Sequence, residues 1–342
     1  MKENKIKKPE PEQYLTVPDY INNERDKVKH EKLWSRYASM IETTALIDTP
    51  LFPRAMLIEI ANVCNHRCSF CAYPKMSRPS NFIDINVFNS ITQEGFDLGA
   101  REIGLHGASE PLTCKDLATH IKTCSDIGYE YIYCTTNGTL GTPKKWMSYI
   151  DAGLDSIKFS INAGDAETYK KIHGRDHFQR ALNSLKFVSE YRKIHNLDLY
   201  LAVSFVEVPE NAESFSTLKR IVEPLVDEVF YAIAANQSGQ MPNLEIAPTI
   251  PEICHIPFNQ VNITREGFLR GCCNDYQNML VMDDINKVSL KDAWAGKNAR
   301  EFRRKHLENN LCGTLCYNCM HGKSEPVNAL RVDLAPWDPI IG

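Results

Sequence analysis

The sequence predicts an α/β fold, a mainly parallel sheet with helices between its strands, followed by a small cysteine-rich lobe. Two observations predict it. From residue 54 to about 240, short β-branched or apolar runs alternate with longer amphipathic stretches. After about 240 that rhythm stops, and six of the twelve cysteines lie in the remaining stretch. With 342 residues the chain can build one large domain and an appendage, and 43% apolar residues suffice for a full core.

Residues 1–50 are polar, then weakly helical over "DKVKHEKLWSRYASMIETT", and are expected to form a lead-in segment. The strand expectations are "RAMLIEIA", "REIGLH", "YEYIYCTT", "DSIKFSI", "LYLAVSFVEV" and "EVFYAIAA". Helices are expected near 86–98, 114–127, 142–152, 176–195 and 213–225. Strand, helix, strand at this spacing implies parallel βαβ units. Six strands are too few for a closed eight-stranded barrel, which leaves an open partial barrel or a doubly wound sheet. In either, chemistry belongs at the carboxyl ends of the strands.

The expected layout is therefore a lead-in over 1–50, an α/β unit over 51–240 and a cysteine-rich unit over 241–342. In the last, "FNQVNITREGFLRGCCND" reads as a hairpin turning at Glu266-Gly267. "SLKDAWAGKNAREFRRKHLENN" reads as one amphipathic helix with Ser289 as N-cap. This part is short of large apolar residues, so a metal is expected to hold it.

Composition narrows the function classes. The 39 basic residues are balanced by 43 acidic ones, and no sustained Lys/Arg stripe suggests a nucleic-acid partner. The start, "MKENKIKKPEPEQYL", lacks the apolar core of a secretory signal, and no stretch is long and apolar enough to span a membrane. The expected compartment is the cytoplasm, where thiols stay reduced and grouped cysteines suggest metal or redox work. Cys124, and with it Cys134, reads as a buried small hydrophobe.

"NVCNHRCSFCAYPKM" puts Cys64, Cys68 and Cys71 into eight positions just after the first strand, at the edge where chemistry is expected. Three thiolates can hold three irons of a [4Fe–4S] cubane and leave the fourth open. Zinc, or a pair of cysteines with Cys64 uninvolved, is the alternative that spacing leaves standing.

With a strand before it and Phe70 before its last cysteine, this loop resembles the C-x₃-C-x₂-C signature of the radical S-adenosylmethionine (radical SAM) superfamily. That resemblance implies a partial (β/α)₆ TIM-like barrel, with S-adenosylmethionine filling the open iron through its amino and carboxylate groups. "LHGASEPL" looks like the family's glycine-rich segment, with Gly107 and Glu110 kept and Ala108 and Ser109 departing from Gly-Gly-Glu. "TTNGTL" is similar to the Thr-Asn-Gly loop and supplies Asn137; Ser160 and Asn162 match positions that touch ribose or carboxylate. Val206 and Tyr73 are candidates for adenine packing, with core packing and loop support as the bland alternatives. His173 sits on an ordinary helix-to-loop boundary, and Cys114 at the mouth of helix two reads as packing, with thiol hydrogen-atom donation the minority option.

Cys254, Cys272, Cys316 and Cys319 resemble the SPASM/twitch extensions of these enzymes, in the shorter form with one auxiliary [4Fe–4S] cluster. Cys273 makes the hairpin ligand ambiguous, Cys312 could replace Cys316, and a structural zinc on the same thiolates is the alternative.

The resemblance implies reductive cleavage of S-adenosylmethionine to a 5′-deoxyadenosyl radical that abstracts hydrogen from a substrate. With the auxiliary cluster as electron acceptor, the expectation is oxidation of a small polar metabolite, a sugar, cyclitol or similar alcohol. The cysteine arrangement looks like that of the twitch-domain aminocyclitol dehydrogenase. His106, at the end of strand two, is the candidate proton acceptor. A flavodoxin or ferredoxin would supply electrons. The alternative is a peptide-maturing enzyme that forms a thioether, a carbon–carbon crosslink or an epimer. An iron–sulfur electron carrier would have no use for Glu110, Asn137 and Ser160.

Overall fold

Side chains alternate across a strand, so each strand of a barrel sorts its residues into an outer and an inner set. The computed structural model describes residues 44–242, 244 and 253–340. In it the outer set is uniformly apolar and buried: Met56 and Ile58, Ile103 and Leu105, Ile132 and Cys134, Ile157 and Phe159, Leu201, Val203 and Phe205. The inner set is mixed and more polar: Glu59, His106, Tyr131, Tyr133, Lys158, Ser160, Ser204 and Glu228 belong to it, along with Leu57, Ala202 and Phe230.

The strands are β1 (Ala55–Ile58), β2 (Glu102–Gly104), β3 (Tyr131–Thr136), β4 (Ser156–Ser160), β5 (Tyr200–Glu207), β6 (Glu228–Ile233), β7 (Gln260–Ile263), β8 (Phe268–Arg270) and β9 (Val281–Asp284). They form one sheet in the order β6-β5-β4-β3-β2-β1-β7-β8-β9. β1 to β6 are parallel, as expected, and the sheet stays open as a partial TIM-like barrel. β7 is a correction to the count of six: it pairs parallel with β1, Met56 opposite Val261, while β8 and β9 continue antiparallel. The hairpin does turn at Gly267, whose φ of 82° is the left-handed region glycine tolerates.

Helices α1 (Ile85–Leu98), α2 (Leu117–Ile127), α3 (Pro143–Asp151), α4 (Ala166–His173), α5 (Phe178–Ile194) and α6 (Phe215–Val222) cover the outer face. Two of these contacts show the packing: the Trp146 and Phe205 rings meet Phe159 and Phe215 at 5.4 and 5.2 Å. α4 was not expected, although Asp165 caps its N-terminus through Thr168 N–H and Gly174 ends it in the left-handed region.

Beyond a four-residue turn, α7 (Ile256–Asn259), the expected single helix is two, α8 (Leu290–Ala295) and α9 (Lys297–Leu307), parted at Gly296; Ser289 caps the first. α10 (Leu315–His321) carries the last cysteines. The lobe also has an apolar core. Met279, Leu280, Trp294, Phe302 and Leu311 are buried in one cluster with the barrel core. The weakly helical stretch of the lead-in falls almost wholly outside the described residues; Pro50 and Phe52 anchor its end on Trp294.

Candidate functional site

The loops after β1, β2, β3 and β4 meet at one end of the barrel, and hydrogen bonds join them. Glu110 N–H donates to Val63 O at 3.0 Å, and the Ser109 hydroxyl donates to Ala61 O. The Glu110 carboxylate accepts from the Thr136 hydroxyl at 2.6 Å, Asn137 N–H at 2.7 Å and Leu112 N–H at 3.0 Å. Burial still pushes its pKa up to about 7, because these donors offset only part of the desolvation. Asn137 donates to Asn65 at 2.8 Å, which ties the β3 loop to the cysteine loop. Asn162, at a φ of 53°, accepts Val206 N–H at 2.8 Å, and Ser160 and Ser204 share a hydrogen bond of 3.1 Å.

Cys64, Cys68 and Cys71 are partly buried and lie within one another's electrostatic reach. Burial pushes the Cys64 thiol up to about 12, with charge on Glu110 and Cys71 adding to it, and raises Cys68 and Cys71 as well. Such thiols ionise only against a cation, and iron provides one. Backbone N–H groups already face two sulfurs, from His66 to Cys64 Sγ at 3.5 Å and from Tyr73 to Cys71 Sγ at 3.4 Å. This donor set fits a cluster with one corner left open.

Several supports of this loop were not visible in the sequence. His173, expected to be an ordinary boundary residue, is buried with Nδ1 3.0 Å from Cys68 Sγ and Nε2 2.9 Å from Ile161 O. The ligand atoms of His66, Cys68 and His173 lie within 4.8 Å of one another, and His66 Nε2 is 3.3 Å from His177 Nδ1. An imidazole layer therefore lies under the loop. Gln237, beyond β6, clamps it from the side, accepting Ala72 N–H and donating to Phe70 O, both at 2.8 Å. Tyr276, from the lobe, reaches Cys71 Sγ at 3.6 Å. Of these only the histidines carried a local signal, His66 two residues from both Cys64 and Cys68, and His173 and His177 at the two ends of "HGRDH".

The structure also places the remaining candidates. Tyr73 accepts Cys64 N–H at 2.8 Å, which is a loop-supporting contact. Phe70 meets His173 edge-on at 5.8 Å. A Cβ on Gly107 would come within 2.8 Å of Glu59 Cβ, so close backbone approach explains that glycine. Cys114 is buried behind the Pro111–Thr113 turn, and Cys124 and Cys134 are core residues. His106 is half-buried, edge-on to Tyr133 at 5.6 Å, and desolvation holds its pKa down near 3, helped by the Lys158 charge.

In the lobe five thiols converge. Cys254, Cys272, Cys273, Cys316 and Cys319 interact electrostatically with one another. Four of them could close a second cluster. Cys272 and Cys273 share a hydrogen bond that lowers Cys273, with Arg270 and Lys158 nearby, so the hairpin ligand stays open between them. Cys312 is exposed and lines a separate surface cavity with Met282 and Asn298, away from this group.

Comparisons agree with this geometry. Residues 58–212 match the Radical SAM superfamily model and residues 254–320 the iron–sulfur cluster-binding SPASM domain model. The chain is 26% identical over 129 residues to the probable GTP 3′,8-cyclase of Sulfurisphaera tokodaii, covering 38% of this chain and 41% of that one. It thus spans about two-fifths of that relative's length. Among solved structures, Streptococcus suis SuiB bound to its precursor peptide SuiA superposes with a TM-score of 0.63 at 14% identity, covering 90% of this chain and 77% of that one. BtrN in complex with AdoMet and 2-DOIA gives 0.52 at 17%, covering 78% and 91%. At these identities the structural likenesses speak for the fold alone. Two domain models in chain order, on a partial barrel whose cysteines gather at its mouth and in its lobe, make this chain a member of the radical SAM superfamily with a SPASM-type iron–sulfur domain.

Proposed function

We propose that this enzyme oxidises a small polar metabolite held in the barrel bore, a sugar, cyclitol or similar alcohol, with an auxiliary cluster as electron acceptor. In this reading Cys64, Cys68 and Cys71 hold the first [4Fe–4S] cluster, and Glu110, Asn137, Ser160, Asn162 and Val206 surround S-adenosylmethionine. Cys254, Cys316, Cys319 and one of Cys272 and Cys273 hold the second. When bound, the first cluster and S-adenosylmethionine supply a carbon-centred radical able to take hydrogen from an unactivated C–H bond.

One observation carries the reading: Lys158 on the inner face lies within electrostatic reach of both His106 and Cys273. The same bore therefore faces the barrel mouth and the auxiliary thiols, so a substrate there lies between the two. His106 is neutral at pH 7, and its Nδ1, which meets no partner among the described residues, is available to accept a substrate hydroxyl proton. Lys158 beside it disfavours a resting imidazolium, so an accepted proton must be passed on. The imidazole layer, Gln237 and Tyr276 hold the cysteine loop still and keep water from it.

Anaerobic reconstitution tests this directly. About eight irons per chain are expected, from two cubanes. Cys68→Ala should abolish 5′-deoxyadenosine release. Cys316→Ala together with Cys319→Ala should leave the release intact and stop substrate oxidation; unchanged oxidation would remove the electron-acceptor role. A flavodoxin or ferredoxin is the fitting reductant.

A peptide substrate is the second reading, favoured by the likeness to SuiB bound to its precursor peptide. It predicts a mass change in a precursor peptide and no oxidation of any small alcohol. The polar, tyrosine-lined bore supports the small substrate.

A further inference from the structure

The inner face of the barrel carries an ammonium, Lys158, that pairs closely with no carboxylate among the described residues. Strand register places Thr135, Lys158, Ala202 and Glu228 in one layer from β3 to β6. Alternation along β4 turns Lys158 to the side of Ser160 and away from Ile157 and Phe159, which are buried outside. The Lys158 ammonium lies 5.7 Å from the Phe230 ring centroid, and among the described residues no carboxylate stands within ion-pair distance of it. Glu228 shares the layer and its carboxylate takes the Tyr200 hydroxyl; its charge and that of Cys273 reach Lys158 without forming an ion pair. A half-buried cation with no close carboxylate favours a bound anion.

Two neutral groups share this face. Asn262 on β7 is 1% exposed, and neither atom of its amide meets a hydrogen-bond partner among the described residues. Its register partner is Leu57, itself level with Gly104, and His106 follows Gly104 by two. Like Asn262, His106 has an unpartnered ring nitrogen. The other cation of the face, Arg270, is already committed, to the Glu59 carboxylate at 3.2 Å and the Asp275 carbonyl at 2.8 Å. One available positive charge beside an imidazole, on an inner face that also carries an unpartnered amide, suits a singly charged carboxylate with neighbouring hydroxyls. A phosphate dianion would call for a second cation or a helix N-terminus.

We propose that the bore binds the carboxylate of a small hydroxylated acid, a sugar acid in type, on Lys158, with Asn262 and His106 taking its adjacent polar groups. This rests on reading the bore as the substrate chamber and names the class of substrate it takes. Lys158 is thereby a specificity-determining residue, one that local sequence did not mark.

The test is calorimetric titration of the anaerobically reconstituted full chain, loaded with S-adenosylmethionine, using glucuronate, galacturonate and gluconate as probes. Glucose and glucose 6-phosphate are the comparisons. At least one of the acids should bind about tenfold or more tightly than both. Lys158→Gln, with unchanged iron content, should erase that preference, and Lys158→Arg should retain part of it. Equal binding of acid and neutral sugar, a preference for the phosphate, a preference that survives Lys158→Gln, or no acid bound at ~10 mM would each overturn the proposal. The comparison of ligands on the unaltered chain stands even where a variant misfolds. An acid that binds tightly through Lys158 but is never oxidised would sink the oxidation reading and leave the anion site in place.

Discussion

Glu59 ends the first strand's apolar run, and in the folded chain it is fully buried between two guanidinium groups. Arg78 donates to it at 2.8 Å and Arg270 at 3.2 Å, while Ala108 N–H approaches at 3.4 Å. One carboxylate thus joins the end of the cysteine loop, the glycine-rich segment and the hairpin. Burial alone would raise its pKa, but the two charges, Arg78 first, outweigh that and hold it near 2 against an ordinary 4.5. A depressed carboxylate contributes stability that is complete above its unfolded pKa, so this contribution should be lost as pH falls from about 4.5 to about 2. Glu59→Gln leaves two buried guanidiniums without their shared partner and should cost about 3 kcal/mol or more. Chemical denaturation of the two proteins at pH 7 checks it, and an unchanged midpoint would make the network dispensable. The sequence showed Glu59 only as a charged interruption of a strand, because its partners stand 19 and 211 residues away.

Among the elements, the six expected parallel strands formed because each carried its own alternation and its own turn signals. β7 is legible in the sequence as half of a hairpin, yet its second pairing, with β1, joins segments about 200 residues apart and leaves no local mark. α4 had both caps written in the sequence, Asp165 and Gly174, but only eight residues, too few for periodicity to separate it from α5. The cysteine loop was legible as a motif and illegible as a packed object. Its clamp, Gln237, lies 165 residues from Ala72 and at a φ of 47°, a conformation no propensity argument would assign to glutamine. Gln237→Ala removes two hydrogen bonds from the loop, about 1 kcal/mol each, without touching the lobe's thiols. The expected outcome is several-fold faster chelation of iron from the first cluster by a water-soluble chelator, with the auxiliary iron lost at the original rate. Equal acceleration of both would show that Gln237 acts on the fold as a whole.

Across the whole molecule the two cysteine groups are one mechanical unit, which their separation by almost 200 residues concealed. The lobe reaches the first loop through Tyr276, and the loop's own Arg78 reaches back to the Tyr276 carbonyl at 2.7 Å. The C-terminal segment then closes over the junction. Gln277 donates to Asp338 O at 2.7 Å, and Ile340 is buried with Ala72, Tyr73, Ala108 and Tyr276, against the partly buried Cys64 and Cys71. Nothing in the composition of "LAPWDPII" marks it as a cover; the assignment follows from where the preceding lobe delivers it. If that cover keeps water and oxygen from the first cluster, a charge inside it should open the site. Ile340→Asp places a carboxylate in an apolar contact with no cation beside it, which costs enough to displace a short terminal segment. The reconstituted variant should bleach several-fold faster in air, losing about four of about eight irons while the auxiliary cluster persists. Circular dichroism should be unchanged. Bleaching at the rate of the unaltered protein would show that the segment rests on the site without sealing it.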